Sequence, residues 1–246
     1  FAFLATVGVN GLANALPING VNTGEVSDSF PNLFVPSGFT FSIWGVIYIL
    51  LGMFAIYQLI IALRKIEQQE SFIDRIGLLF VAASAANIGW IFAWHYQLVA
   101  VSLLVMLALF ACLLMLYLRL DIRHRGISRR NKIFVVIPFS VYLGWITVAT
   151  IANVTAVLVH LGWNGFGIPE EVWTIIVLIV GTAITLSVVF TKQDIYYALV
   201  IEWAYFGVLM KRLSADPEPK TGIIVTLAIC MALVLFEMIY QLLGKK

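Results

Sequence analysis

The sequence predicts an all-α fold, a polytopic integral membrane helical bundle of about eight transmembrane helices. Three observations carry that expectation. The 246 residues are 62% hydrophobic, only 11% are charged, and the mean hydropathy is +1.00. A soluble domain usually runs about 45–50% apolar and about 25% charged, so water could not solvate a chain of this composition as a compact fold. The charges are also absent from long stretches: Phe1–Gly24, Phe41–Leu63, Ile76–Leu118, Ile133–Pro169 and Val172–Thr191 contain no Asp, Glu, Lys or Arg. A spanning helix needs roughly 20 mostly apolar residues, because the hydrocarbon core is about 30 Å thick and a helix rises about 1.5 Å per residue.

Taken in order, the expected helices lie near 1–17, 39–63, 74–95, 97–119, 133–160, 172–191, 194–212 and 221–244. Ala13-Asn14-Ala15 has the small-residue spacing of a signal-peptidase site, but a retained first helix is the preferred reading. Because the chain begins at Phe1 rather than Met, preceding residues are expected. The apolar stretch Ile76–Leu118 is long enough for two spans, and His95-Tyr96-Gln97 is its natural turn. The 194–212 segment is the weakest span, being short with Glu202 near its middle, so a re-entrant or tilted course is an alternative. The 17–38 segment is rich in turn formers (Pro17, Asn19, Gly20, Asn22, Gly24, Pro31, Pro36, Gly38) yet apolar at Phe30, Leu33 and Phe34. A lid over the bundle suits it better than a free linker.

Lys and Arg in short loops mark the cytoplasmic side. Arg64, Lys65 and Arg75 cluster in one loop, and Arg119, Arg123, Arg125, Arg129, Arg130 and Lys132 in another, against Asp121 alone. Eight spans with both termini cytoplasmic, in the plasma (inner) membrane, put most of the 15 basic residues inside, with Lys192, Lys245 and Lys246 among them. Lys211, Arg212 and Lys220 fall outside in that arrangement and conflict with it. The net charge of +2 is too small to suggest a nucleic-acid partner. Cys112 and Cys230 sit in apolar spans, as buried small hydrophobes rather than a disulfide or metal ligands. No metal site is expected.

Three helices share one pattern. Phe41, Trp44 and Tyr48 recur at i, i+3, i+7, as do Asn87, Trp90 and Trp94; Tyr142, Trp145, Ala149 and Asn153 extend it over three turns. Each set lies on one helix face. Interfacial belts would explain Trp44, Trp94, Trp163 and Trp173, and helix packing with amide glue would explain Asn87 and Asn153. Trp90 and Trp145 lie too deep for a belt, so a ligand pocket stands beside those readings.

The run Gly38-Phe-Thr-Phe-Ser-Ile-Trp44-Gly-Val-Ile-Tyr48-Ile-Leu-Leu-Gly52 resembles the second helix of the TspO/MBR family (translocator protein, tryptophan-rich sensory protein). Asn87-Ile-Gly-Trp90-Ile-Phe-Ala-Trp94 resembles its third helix, and Tyr142-Leu-Gly-Trp145-Ile-Thr-Val-Ala149-Thr-Ile-Ala-Asn153 its fifth. The resemblance covers roughly residues 1–160. It implies a five-helix core (1–160) followed by three additional C-terminal helices (161–246). It also implies a pocket roofed by the first loop, lined by Trp44, Asn87, Trp90, Trp94, Trp145, Ala149 and Asn153, with Tyr48 and Tyr142 on the same faces. The ligand class it implies is hydrophobic and aromatic, a porphyrin or other tetrapyrrole or a sterol-like molecule. No cofactor is firmly implied beyond such a porphyrin or haem-like ligand; a homodimer is allowed.

The expected function is therefore a membrane receptor or carrier whose partners are the lipid bilayer and a hydrophobic small molecule. Glu202 and Glu237, carboxyls within spans, support an alternative: a proton-coupled secondary transporter using both as a proton or cation site. An intramembrane lipid or pigment enzyme is the third class. It is disfavoured by the lack of H-E-x-x-H, G-x-S-x-G or a Gly-rich phosphate loop, and no catalytic residue is assigned. His95 and His160 fall near the same face, where an axial haem ligand or a metal pair is conceivable.

Overall fold

A computed structural model of the chain describes residues 1–64, 76–120, 127–214 and 220–244. Among these, the chain forms eight long helices: α1 (Ala2–Ala15), α2 (Ile43–Arg64), α3 (Leu79–His95), α4 (Val99–Leu120), α5 (Ile137–His160), α6 (Glu170–Lys192), α7 (Ile195–Ser214) and α8 (Thr221–Leu243). The segments containing α2, α4, α5, α6 and α8 are long and apolar enough to cross a membrane. α1 and α3 are apolar but shorter, and α7, though 20 residues long, is not among the helices apolar enough to qualify. The loop residues Lys65, Arg75, Asp121, Arg123 and Arg125 and the terminal Lys245 and Lys246, used in the charge argument, lie outside the described residues.

The connections follow from local backbone chemistry. α3 ends at His95, and Gln97 takes a left-handed φ of 53°, which reverses the chain into α4 at the expected step. Gln193 does the same between α6 and α7 with φ 54°. Asp194 then caps α7: its Oδ1 accepts from the N–H groups of Tyr196 and Tyr197 at 3.0 and 3.2 Å, and its Oδ2 accepts from Tyr117 Oη at 3.0 Å. This buried acid thereby joins the start of α7 to the end of α4. A π-helical turn over Lys132–Val136 leads into α5, where Pro138 supplies no N–H to the preceding turn.

α5 is the central element. Twelve of its residues are buried, because it packs against α2, α4 and α7. At Gly144 a Cβ would lie 3.1 Å from Tyr197 O and 3.1 Å from the Val200 Cβ, so the missing side chain lets α5 and α7 approach closely. α7 is a continuous helix. It begins beside Tyr117 at the end of α4 and ends against the 37–42 turn at the opposite end of the bundle, where Ser37 N–H donates to Gly207 O at 3.0 Å. α6 and α8 pack beside it. Tyr205 of α7 donates to Leu178 O of α6 at 2.8 Å, a buried tie between two of the added helices.

The 17–42 segment folds over one end of the bundle as a lid. Asn22 caps a short helix, Thr23–Asp28, in a reciprocal capping box with Glu25. Asn32 accepts from Phe34 N–H at 3.0 Å and turns the chain back. Val26, Phe30, Phe34 and Val35 are buried against the helices. Asn19 donates to His95 O at 3.0 Å, which pins the lid's start to the end of α3.

Candidate functional site

The aromatic faces of α2, α3 and α5 converge beneath the lid. Trp44 stacks on Tyr48, with ring centroids 5.7 Å apart and planes at 16°, and tilts against Trp90 at 5.9 Å. Trp90 stacks on Trp94 at 5.8 Å and 19°. Trp145 of α5 meets Trp44 edge-on at 6.1 Å and Phe41 at 5.9 Å. Offset and edge-to-face pairs at these spacings are the favoured arrangements of ring quadrupoles. All four tryptophans are buried, so these indoles form one continuous cluster and not a set of interfacial anchors.

A cavity of about 30 Å³ lies within the cluster. Trp44, Trp90, Trp94, Trp145, Ala149 and Asn153 line it, together with Ala152, Val148 and the lid residues Ser27, Pro36 and Phe41. That volume holds about two water-sized bodies, whereas a small-molecule site usually measures roughly 300–1,000 Å³. In this conformation the lid is closed on the rings. Trp94 Nε1 donates to Thr23 O at 3.2 Å, and Phe30 packs on Trp94 at 6.0 Å, so the lid and the cluster are one unit.

Two buried polar chains flank the cavity. Below it, Asn10 of α1 donates to Asn87 Oδ1 at 2.7 Å, and Asn87 Nδ2 donates to Tyr142 Oη at 3.0 Å. This links α1, α3 and α5 and gives Asn87 the partners that a buried amide requires. Beside it, Trp90 Nε1 donates to Asn153 Oδ1 at 3.0 Å, and Asn153 Nδ2 donates to Ser102 Oγ of α4 at 2.9 Å. The second chain fixes the Trp90 ring against the cavity. Trp145 Nε1, by contrast, is buried with no hydrogen-bond partner, as are Thr40 Oγ1 and Glu202 Oε1.

The structure thus brings Trp44, Trp90, Trp94, Trp145, Ala149 and Asn153 around one cavity, while Tyr48, Asn87 and Tyr142 lie next to it without lining it. The two glutamates are separate from this cluster. Glu202 is buried on α7; Glu237 on α8 accepts from Gln241 Nε2 at 2.8 Å, a bond within its own helix. His95 is buried with its Nδ1 2.8 Å from Ile91 O, and His160 lies edge-on to Phe30 at 6.2 Å. Among the described residues, no group of three or more His, Cys, Asp or Glu is placed to hold a metal ion. Trp163 of the 161–169 loop packs on Trp173 of α6 at 5.2 Å, and Trp173 Nε1 donates to Gly165 O of that loop at 2.9 Å.

Sequence reasoning missed several of the participants. Asn10, a buried amide in the apolar α1, would have been found by asking what satisfies Asn87. Ser102 is the corresponding partner for Asn153. Ser27 and Pro36 come from the lid, whose approach to the rings no periodicity reports.

These features define an integral membrane protein, an α-helical bundle with a lidded aromatic cluster at one end. The chain belongs to the TSPO-like protein family, whose model matches residues 1–240. The match bears out the resemblance seen in the α2, α3 and α5 motifs, and it runs on through α6, α7 and most of α8. No match is found among curated proteins or among solved structures.

Proposed function

We propose that the protein is a membrane receptor or carrier for a hydrophobic aromatic ligand of the porphyrin or sterol-like class, bound in the cleft between α2, α3 and α5. The observation that carries this reading is the lining: four indoles, two alanines and a valine, with one buried donor, Trp145 Nε1, lacking a partner. Flat ligands gain from ring stacking and from a few placed polar groups in an apolar cleft. A porphyrin fits that chemistry but not a volume of about 30 Å³. Binding therefore requires the 17–42 lid to lift and the Trp44 and Trp90 rings to part. All eight helices cross the bilayer in this reading, with both termini cytoplasmic and the lid on the outer side.

A second reading is favoured by one group. Glu202 is buried on α7 with Oε1 unpartnered, which suits a carboxyl that exchanges a proton as ligand moves. Glu237, bonded to Gln241, is the weaker half of such a pair. The test of both is titration of the purified protein in nanodiscs with protoporphyrin, followed by transport in proteoliposomes. Saturable binding supports the receptor reading. pH-dependent uptake abolished by Glu202→Gln supports proton coupling, and no binding at all refutes the first proposal.

A further inference from the structure

A second cavity of about 470 Å³ lies at the lid end of the bundle, lined by Asp28, Pro31, Asn32, Leu33 and Val35 of the lid, Glu170 of α6, and Lys211 and Arg212 of α7. It adjoins the aromatic cleft. Ser27 and Pro36 line the cleft while their neighbours Asp28 and Val35 line this polar cavity, so the same lid segment borders both. Its volume falls in the range of about 300–1,000 Å³ typical of ligand sites.

The charged groups here are not equally engaged. Lys211 Nζ forms an ion pair with Asp28. Glu170 Oε1 accepts from Leu33 N–H at 2.6 Å. Arg212 feels the Glu170 charge, yet its Nε is buried with no hydrogen-bond partner. A buried guanidinium N–H without an acceptor is costly, and the group that complements it is planar and anionic. The group left wanting is thus one guanidinium N–H of a half-buried arginine lining the polar cavity.

We infer that this polar cavity is a subsite for the carboxylate of an amphipathic aromatic ligand, with Arg212 as the binding residue and the ring system lying in the adjoining cleft. The inference rests on the proposed cleft and narrows its ligand class to aromatic acids. With the lid that borders both cavities lifted, one molecule would reach the cleft and the polar cavity together. Asp28 then opposes the ligand carboxylate, because it competes for Lys211.

The probes are protoporphyrin, which carries carboxylates, and its uncharged dimethyl ester, titrated by Trp quenching in nanodiscs of neutral lipid. Wild type should bind the acid several-fold more tightly than the ester. Arg212→Gln should erase that preference while leaving ester affinity unchanged, and retained ester binding shows that the variant is folded. Asp28→Asn, which frees Lys211, should enlarge the preference several-fold and tests the same subsite independently of Arg212. Equal affinity of acid and ester in wild type overturns the subsite and leaves the cleft standing, as does a preference that survives Arg212→Gln. If anionic lipid in the nanodisc abolishes the preference at fixed ionic strength, a lipid phosphate fills the cavity, and the inference is equally overturned. Failure of both probes to bind wild type removes the cleft and the subsite together.

Discussion

Single side chains decide whether this core is glued or open. Asn87 has both of its amide groups engaged, accepting from Asn10 and donating to Tyr142. Asn87→Leu leaves two buried groups short of a partner, at a cost of about 1–2 kcal/mol. A lower Tm in detergent, by a few degrees, is the expected reading, and an unchanged Tm would mean that water replaces the amide. Trp145 is the opposite case, since its Nε1 satisfies nothing in the closed protein. The sequence made the importance of these residues legible, because an amide or an indole deep in an apolar span needs a reason. It did not separate their roles. Asn87 and Asn153 share one type and one spacing rule, yet Asn153 lines the cavity and Asn87 does not. That difference depends on the rotation of each helix about its axis, which its neighbours set.

Among the elements, α7 shows best where sequence and structure part. Its charges and its carboxyl made it the doubtful span, with a re-entrant course as the alternative. It is a continuous 20-residue helix, and among the described residues it is not one of the helices apolar enough by composition to cross a membrane. The basic residues at its end, Lys211 and Arg212, face Asp28 and Glu170 around the polar cavity, which explains cations outside the charge pattern of the other loops. α7 also holds the lid. Trp203 Nε1 donates to Thr40 O at 2.9 Å, Phe39 packs on Trp203 and Phe206, and a Cβ on Gly207 would collide with Thr40. Gly207→Ala should push the 37–42 turn away, since overpacking of this kind costs about 1–3 kcal/mol. In a background lacking Cys112 and Cys230, an Ala152→Cys probe in the cleft should then react several-fold faster with a water-soluble maleimide. An unchanged rate would show that the lid is held elsewhere. Nothing in a linear pattern ties residue 40 to residue 207, so this contact was illegible before the fold.

For the whole molecule, the helix count, the turn at Gln97 and the lidded end were readable from apolar run lengths and turn residues. The closed state of the cleft was not, because volume depends on how rings pack once three helices meet. The proposed topology has its own test: Ser128→Cys should label with an impermeant thiol reagent only from the cytoplasm, and Pro31→Cys and Lys220→Cys only from outside. Labelling of Ser128→Cys from outside would invert or break the eight-span arrangement. The central claim is that the indole cluster is a ligand cleft. Losing one aromatic partner costs about 0.5–1.5 kcal/mol beyond area burial, and a larger residue at 149 fills the space beside Trp145. The direct measurement is Trp-quenching titration with protoporphyrin of wild type, Trp145→Phe, Ala149→Leu and, as a control outside the cleft, Trp173→Phe. Weakening of several-fold in the first two variants, with the Trp173 variant like wild type, is the predicted result; equal affinity in all four proteins would contradict the account.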